Sequence, residues 1–244
     1  MKRYFYDLHV HSCLSPCGDD DNTPNNIAGM AKLCGINILA LTDHNSSKNC
    51  PAFFKACEKY EIIPIAGMEL TTSEDIHVVC LFERLEDAMA FDSYIDSSRI
   101  KIKNKPEFFG NQFILDEEDK PICEVEHLLI NATTVSIADA YEIVSRYGGV
   151  CYPAHIDRES NGIISVLGTL PEDCTFGYYE LHDKENIQKY SDLYGIEADR
   201  FLVSSDAHNL TDIRDGENYF TLEDNLDNDE IKKRLFEMLR RSRI

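Results

Sequence analysis

The segment Asp7-Leu8-His9-Val10-His11-Ser12 directs the reading of the whole chain. It ends an apolar run over residues 4–9 that has the composition of a β-strand. Residues i and i+2 of a strand point to the same side, so His9 and His11 can grip one ion together. Five later segments place a ligand-type side chain at the end of a short β-rich run or inside one. Thr42-Asp43-His44-Asn45 closes the run 38–42, and Gly67-Met68-Glu69 closes 62–66. Ile76-His77-Val78 lies in 76–82, Pro153-Ala154-His155 ends 150–153, and Ser205-Asp206-Ala207-His208 follows 201–205. Asp206 and His208 repeat the i, i+2 spacing. Six of the chain's eight histidines thus stand in or at strands, beside carboxylates. A lone His-x-His is usually surface or core, but six such histidines are not core filling. Gathered together, they would be costly to desolvate without a metal.

Between these runs the pattern turns helical. Thr23-Pro24 reads as an N-cap followed by proline in the first turn. Ile27, Met30, Ala31 and Cys34 follow at helical spacing, and Gly35 stands where a helix C-terminus wants glycine. Further helices are expected over 51–60, over 85–103, from an N-cap at Ser136 to Gly148-Gly149, and over 229–240. The last has acids first and bases last, as the helix dipole prefers. One more strand is expected over 178–181. Phe113-Ile114-Leu115-Asp116 and Pro121-Ile122-Cys123-Glu124 flank Glu117-Glu118-Asp119-Lys120, the pattern of a hairpin. That hairpin breaks the alternation and marks an insertion at about residues 100–135. No internal repeat, low-complexity tract or linker interrupts the rest. Strand–helix units in unbroken series predict one α/β domain of barrel type over 1–244, with functional groups gathered where strands end.

Composition limits the function. With 44 acidic and 24 basic residues the net charge is −20. Such a surface repels long polyanions, because nucleic-acid affinity leans on Lys and Arg neutralising phosphates. Long nucleic acid is therefore not the expected partner. No apolar run reaches the roughly 18 residues of a membrane helix. The stretch Met1-Lys2-Arg3-Tyr4-Phe5-Tyr6-Asp7 has no signal-peptide core. Nine cysteines without a CxxC pair fit a reduced, cytoplasmic protein with mostly buried thiols. There is no Gly-rich phosphate loop and no Ser–His–Asp arrangement. Oligomeric state is not legible.

The histidine segments, taken in order, resemble the PHP family (polymerase and histidinol phosphatase). The likeness is carried by DLHVHS at 7–12, LTDHN at 41–45, GMEL at 67–70, IHVV at 76–79, PAH at 153–155 and SDAH at 205–208, and runs from about residue 4 to 210. It implies a distorted, TIM-like (β/α) barrel of seven strands and two or three divalent transition-metal ions. Mixed imidazole and carboxylate ligands suit Mn, Zn or Fe rather than Ca or Mg. The resemblance gives one ion to His9, His11, Glu69 and Asp206. Glu69 bridges to a second held with His77 and His155. A third takes His44, His208 and a carboxylate from the loop after His11, where Asp19 is the first choice and Asp20 or Asp21 the next. It casts His9, His11, Glu69, Asp206 and His208 as catalytic.

The implied activity is that of a metal-dependent phosphoesterase. A metal-bridging hydroxide would attack a small phosphomonoester resembling histidinol phosphate or a nucleotide, and an imidazole or a bound water would protonate the leaving alkoxide. Arg158 can bind the substrate phosphate bidentately, with Arg214 a weaker version of the same idea. Asp7 and Asp43 either orient imidazoles or cap the strand-end turns. His182 and His127 are expected to be structural, and Lys48 solvated. The hairpin at 107–125 either roofs the pocket or decorates the periphery. Two other functions remain open: an exonuclease or nucleotide phosphodiesterase using the same cluster, and a non-catalytic metal-binding regulatory module.

Overall fold

The computed structural model describes residues 1–171 and 176–240. Cys174, one of the nine cysteines, lies outside them. In chain order the elements are β1 (Lys2–Asp7), α1 (Pro24–Leu33), β2 (Ile38–Leu41), α2 (Cys50–Tyr60), β3 (Ile63–Thr71), β4 (His77–Phe82), α3 (Leu85–Ser98) and α4 (Pro106–Phe109). Then come β5 (Phe113–Leu115), β6 (Pro121–Glu124), α5 (Ile137–Arg146), β7 (Val150–Pro153), α6 (Ile163–Leu167), β8 (Tyr179–Leu181), α7 (Ile187–Tyr194), β9 (Phe201–Val203), β10 (Tyr219–Leu222) and α8 (Asn228–Leu239).

Six strands form one curled sheet in the order β10-β1-β2-β3-β4-β7, while β8 and β9 pair separately in parallel. Among the described residues the strands therefore do not hydrogen-bond as one continuous seven-stranded ring. Isolated bonds join the pair to the sheet on both sides. Ile156 N–H donates to Glu180 O, and Val10 bridges Ala207. The N-terminal half of β1 is taken instead by β10, which pairs with it antiparallel from Lys2 to Phe5. Strand β10 was not expected. Its Tyr-Phe-Thr-Leu alternates exposed and buried residues over only four positions, too short a signal beside an acidic stretch.

Strand β4 runs antiparallel to both β3 and β7. Its N-terminal residue, His77, consequently lies at the same end of the sheet as the C-termini of β1 and β2. The site is thus assembled from the ends of parallel strands and the beginning of one reversed strand. Strand β3 continues to Thr71, so Glu69 lies inside it rather than closing it. Gly67 makes this possible: a Cβ there would sit 2.8 Å from Thr42 Cγ2 and 2.9 Å from Cys80 O.

Two apolar layers cover the sheet. Ile38, Ala40, Ile63, Ile65, Val79 and Leu81 pack with Ile231, Leu235 and Phe236 of α8. The alternate residues Leu39, Leu41, Met68, Val78 and Cys80 pack with Ile27 of α1, Phe53 of α2, Phe91 of α3 and Val144 of α5. Thr23 caps α1 and Ser136 caps α5 as expected, and Gly35 and Gly148 adopt positive φ after the two helices. Helix α3 stops at Ser98, five residues short of the expected end. Arg99 is extended and buried, its guanidinium held by Asp96 and Leu128 O. Helix α8 starts from a capping box of Asp227 and Glu230 but has no basic residue in its last turn. Arg240 leaves the helix axis to reach Glu83 and Gly148 O.

The expected hairpin forms from β5 and β6, with an irregularity at Leu115. It is bonded to the segment between β1 and α1 and to the start of α2. Phe113 N–H donates to Cys13 O, Asn49 spans Ser12, Phe113 and Leu115, and Asp119 accepts from Thr23 and Asn25. Within the described residues no helix is long and apolar enough to cross a membrane.

Candidate metal centre

Local bonds at each strand end aim the ligands. Beyond β1, the Asp7 carboxylate accepts from His9 N–H and Ser205 N–H, tying the chain after β1 to the chain after β9. Asp7 therefore caps a turn and touches no imidazole ring. After β2, Asn45 takes φ +48° and its side chain spans Leu129 O, Asn131 O and Thr71 N–H. This fixes His44, which bridges Glu69 across the sheet. His155 and Asp206 sit at φ +27° and +52°. Left-handed backbone is uncommon for such residues and costs about 1–3 kcal/mol at each, so the surrounding bonds must hold it.

The buried Glu69 carboxylate is the hub. Its Oε1 lies 2.9 Å from His77 Nδ1, 3.1 Å from His155 Nε2 and 3.3 Å from His9 Nε2. Its Oε2 lies 3.0 Å from His44 Nδ1 and 3.3 Å from His11 Nε2. Asp206 Oδ1 is 3.4 Å from His9 Nε2 and 3.2 Å from His11 Nε2. Three donor groups, each within 4.8 Å, emerge: His9–His11–Glu69–Asp206, His11–His44–His208, and His44–Glu69–His77. The first gathers the four residues expected to hold the first ion. The second joins His44 and His208 as expected but completes the set with His11. The third pairs His77 with His44, whereas His155 reaches Glu69 beside His9, their rings 5.9 Å apart.

The protonation pattern shows that these residues fit a cation. His9 Nδ1 lies 2.8 Å from Glu180 Oε2, and a carboxylate only accepts, so Nδ1 carries the hydrogen. His11 Nδ1 lies 2.9 Å from Ser15 Oγ, whose own hydrogen goes to Asp43 Oδ1 at 2.7 Å. His11 Nδ1 is therefore also the donor. Both rings turn their Nε2 atoms, 3.1 Å apart, toward carboxylate oxygens. Glu69 Oε2, Asp206 Oδ1 and His44 Nδ1 are buried and have no hydrogen-bond partner among the described residues. Buried lone pairs converging in this way require a metal ion or protons between them.

The electrostatics follow. Burial opposes charge on Glu69, but His77, His9 and His44 hold its carboxyl well below the usual range. Burial likewise opposes charge on Asp206, and His9 and His11 more than offset it. Burial pushes His11 down, while the adjacent carboxylates of Asp206 and Glu69 raise it to about 9. Burial dominates at His44 and His208, lowering them to about 3 and about 4.

Asp19 does not join the cluster. It is exposed, and its carboxylate accepts from Asp21 N–H, while its own N–H donates to His208 O. Asp20 bonds Asn111, and Asp21 is exposed. The loop turns its backbone to the site and its acids to solvent. Arg158 pairs with Asp206 Oδ2 and reaches His182 Nδ1 at 3.1 Å. Arg214 bonds His182 O at 2.9 Å. His182 thus faces the pocket rim through two arginines. Asp43 reaches His11 only through Ser15. Glu180 and Ser15 escaped sequence reasoning. The alternation of β8 offers no hint that a glutamate there points inward, and Ser15 sits in a loop.

With this geometry in place, comparison with known proteins adds the following. Over 127 residues, 48% of this chain and 70% of the relative, it is 28% identical to an uncharacterized protein of Methanocaldococcus jannaschii. It is similar in fold to the lesion-specific endonuclease PfuEndoQ of Pyrococcus furiosus (TM-score 0.64, 19% identity, 95% of this chain and 55% of the other). A structure of endonuclease Q with a 27-mer duplex carrying an abasic lesion gives TM-score 0.65 at 18% identity, covering 100% and 58%. This chain therefore spans just over half the length of those endonucleases. An amidohydrolase from Chromobacterium violaceum with bound sulfate and no metal gives TM-score 0.57 at 20% identity, covering 90% and 92%. At these identities the likeness is one of fold. Residues 7–201 match the PHP domain, and the chain belongs to that family.

Proposed function

We propose that this protein is a metal-dependent phosphoesterase that hydrolyses a small phosphomonoester of the histidinol-phosphate or nucleotide type. One observation carries the reading: five imidazoles converge on the buried Glu69 carboxylate, and His9 and His11 are locked with their Nε2 atoms toward it. His9, His11, Glu69 and Asp206 would hold one ion, and His44, His77, His155 and His208 complete the sites for one or two more. Divalent Mn, Zn or Fe bound there supplies a water acidic enough to lose its proton near neutral pH and charge to neutralise phosphoryl oxygens.

The side chains of the rim do the rest. The His208 side chain is 25% exposed and that of Arg158 36%, against 5% or less for His9, His11, His44 and His155, so these two mark the open side. Arg158 can offer its guanidinium edge to phosphoryl oxygens while Asp206 keeps it in place. Burial pushes His208 down to about 4, which leaves it neutral and able to ligate at pH 7. An imidazole or a bound water would protonate the leaving alkoxide. Likeness to endonuclease Q supports a second reading, cleavage of a nucleotide diester or an oligonucleotide by the same centre. The net charge of −20 weighs against long nucleic acid.

The test is hydrolysis by the Mn-loaded protein and its His9→Ala variant, read as phosphate release from monoesters, alcohol release from a diester and strand cleavage of an oligonucleotide. Substrates are a panel of phosphomonoesters, a phosphodiester and a short labelled oligonucleotide. Monoester turnover that vanishes in the variant is expected. Turnover of the oligonucleotide alone would favour the second reading, and metal binding without turnover would point to a regulatory module.

A further inference from the structure

Glu180 belongs to no expected ligand set, yet it is 1% exposed and points into the centre from β8. One of its oxygens makes two bonds. Oε2 accepts from His9 Nδ1–H at 2.8 Å and from His155 N–H at 3.1 Å. The first bond sets the tautomer and ring angle of His9. The second sits on a residue at φ +27°, where backbone needs an external hold. Its own backbone carbonyl also accepts from Ile156 N–H, one residue further on. Glu180 thus grips the turn that presents His155 at two points and the ring of His9 at a third. His9 faces Asp206 and Glu69, and His155 faces Glu69 Oε1.

We propose that Glu180 is a positioning residue of the metal centre, coupling the placement of His9 to that of His155 through a single carboxylate oxygen. It touches neither ion nor substrate. The proposal rests on the metal-centre reading above. Oε1 is buried and has no hydrogen-bond partner among the described residues, which makes geometry and charge separable. In Glu180→Gln the amide oxygen can replace Oε2 and keep both bonds, while the amide nitrogen takes the place of Oε1 and meets no donor. In Glu180→Asp the charge stays, but the chain is one methylene shorter and cannot reach both N–H groups.

The experiment titrates the metal-free full chain with Mn(II) by calorimetry and records the visible absorption of the Co(II)-loaded protein, which reports ligand geometry. Circular dichroism and melting confirm the fold of each variant. Removing partners of this kind typically weakens metal binding by about 10–100-fold. Glu180→Asp is expected to lose affinity in that range and to change the Co(II) spectrum. Glu180→Gln is expected to lose less and to keep the wild-type spectrum. Wild-type affinity and spectrum in a folded Glu180→Asp would overturn the proposal, and so would a greater loss in Glu180→Gln, which would assign the effect to charge alone. Wild type that binds no Mn(II) or Co(II) would instead overturn the metal-centre reading.

Discussion

Chelating the metal should make this protein's stability fall as pH rises above neutrality, a range in which most proteins are indifferent. The prediction comes from His11. With no cation present, the adjacent carboxylates of Asp206 and Glu69 outweigh burial and raise the imidazole from 6.5 to about 9. A group whose folded pKa is raised contributes stability that is complete below the unfolded value and is lost as pH climbs toward the folded one. The window is therefore about pH 6.5 to 9. At 1.36 kcal/mol for each pH unit, moving from pH 6.5 to 8.5 removes about 2–3 kcal/mol. For a domain of this size each 1 kcal/mol moves Tm by about 2–4 °C, which gives a fall of about 5–10 °C. His9, raised well above its ordinary value by Glu180, Glu69 and Asp206 against burial, works in the same direction.

The assay is thermal denaturation of the chelated and Mn-loaded protein at pH 6.5, 7.5 and 8.5. The upper limit matters, because the buried thiol of Cys13 is pushed up to about 12 by burial while unfolded thiols begin to ionise near 8.5. The loaded protein should not show the decline, since ions replace the protons between the imidazoles and carboxylates. A Tm of the chelated protein that stays level or rises from pH 6.5 to 8.5 would refute the reasoning.

Arg158→Ala should raise KM by 10-fold or more in steady-state phosphatase assays, and Arg158→Lys should recover only part of that, because a lysine cannot make the bidentate contact. Asp19→Asn should leave metal content by elemental analysis at the wild-type value, since that carboxylate faces solvent and Asp21 N–H. Gly67→Ala should destabilise the fold by more than 1 kcal/mol in urea titration and lower metal content as well, because the new Cβ meets Thr42 Cγ2 and Cys80 O beside the segment carrying Glu69. Asp227→Ala should cost about 1 kcal/mol from the lost cap of α8, with metal content unchanged.

What the sequence revealed of this site and what it hid have a common physical origin. The orientation of a side chain at a strand end follows from the period of two and from the strand's own direction. The His9–His11 and Asp206–His208 spacings could therefore be read without the fold, and both pairs do converge on Glu69 or on each other's ligands. His77 was legible as a strand residue, but its arrival at the site depends on β4 running backwards, a fact of sheet topology. The helix caps at Thr23 and Ser136 were equally local and equally legible. Strand β10 and the split between the six-stranded sheet and β8–β9 are pairings between distant segments, with no short-range signature.

The loop after His11 shows where that local legibility ends. Three consecutive acids, Asp19, Asp20 and Asp21, look alike in sequence, and proximity to His11 made each a candidate ligand. Their orientation is set by bonds from elsewhere. His208 O holds the backbone of Asp19, Asn111 holds the carboxylate of Asp20, and a Cβ at Gly110 would stand 2.0 Å from Pro16 O, so the insertion presses directly on this loop. A residue 91 positions away thus takes part in deciding which way an acid points. Glu180 is the converse case. Nothing in Tyr-Glu-Leu separates an inward glutamate from an outward one, because the distinction lies in what β8 packs beside, namely the ends of β7 and β9 and the ring of His9. Ligands that the chain aims by its own local geometry can be read from sequence. The groups that aim those ligands in turn, Glu180 for His9 and Ser15 with Asp43 for His11, are recruited by tertiary structure and become visible only with it.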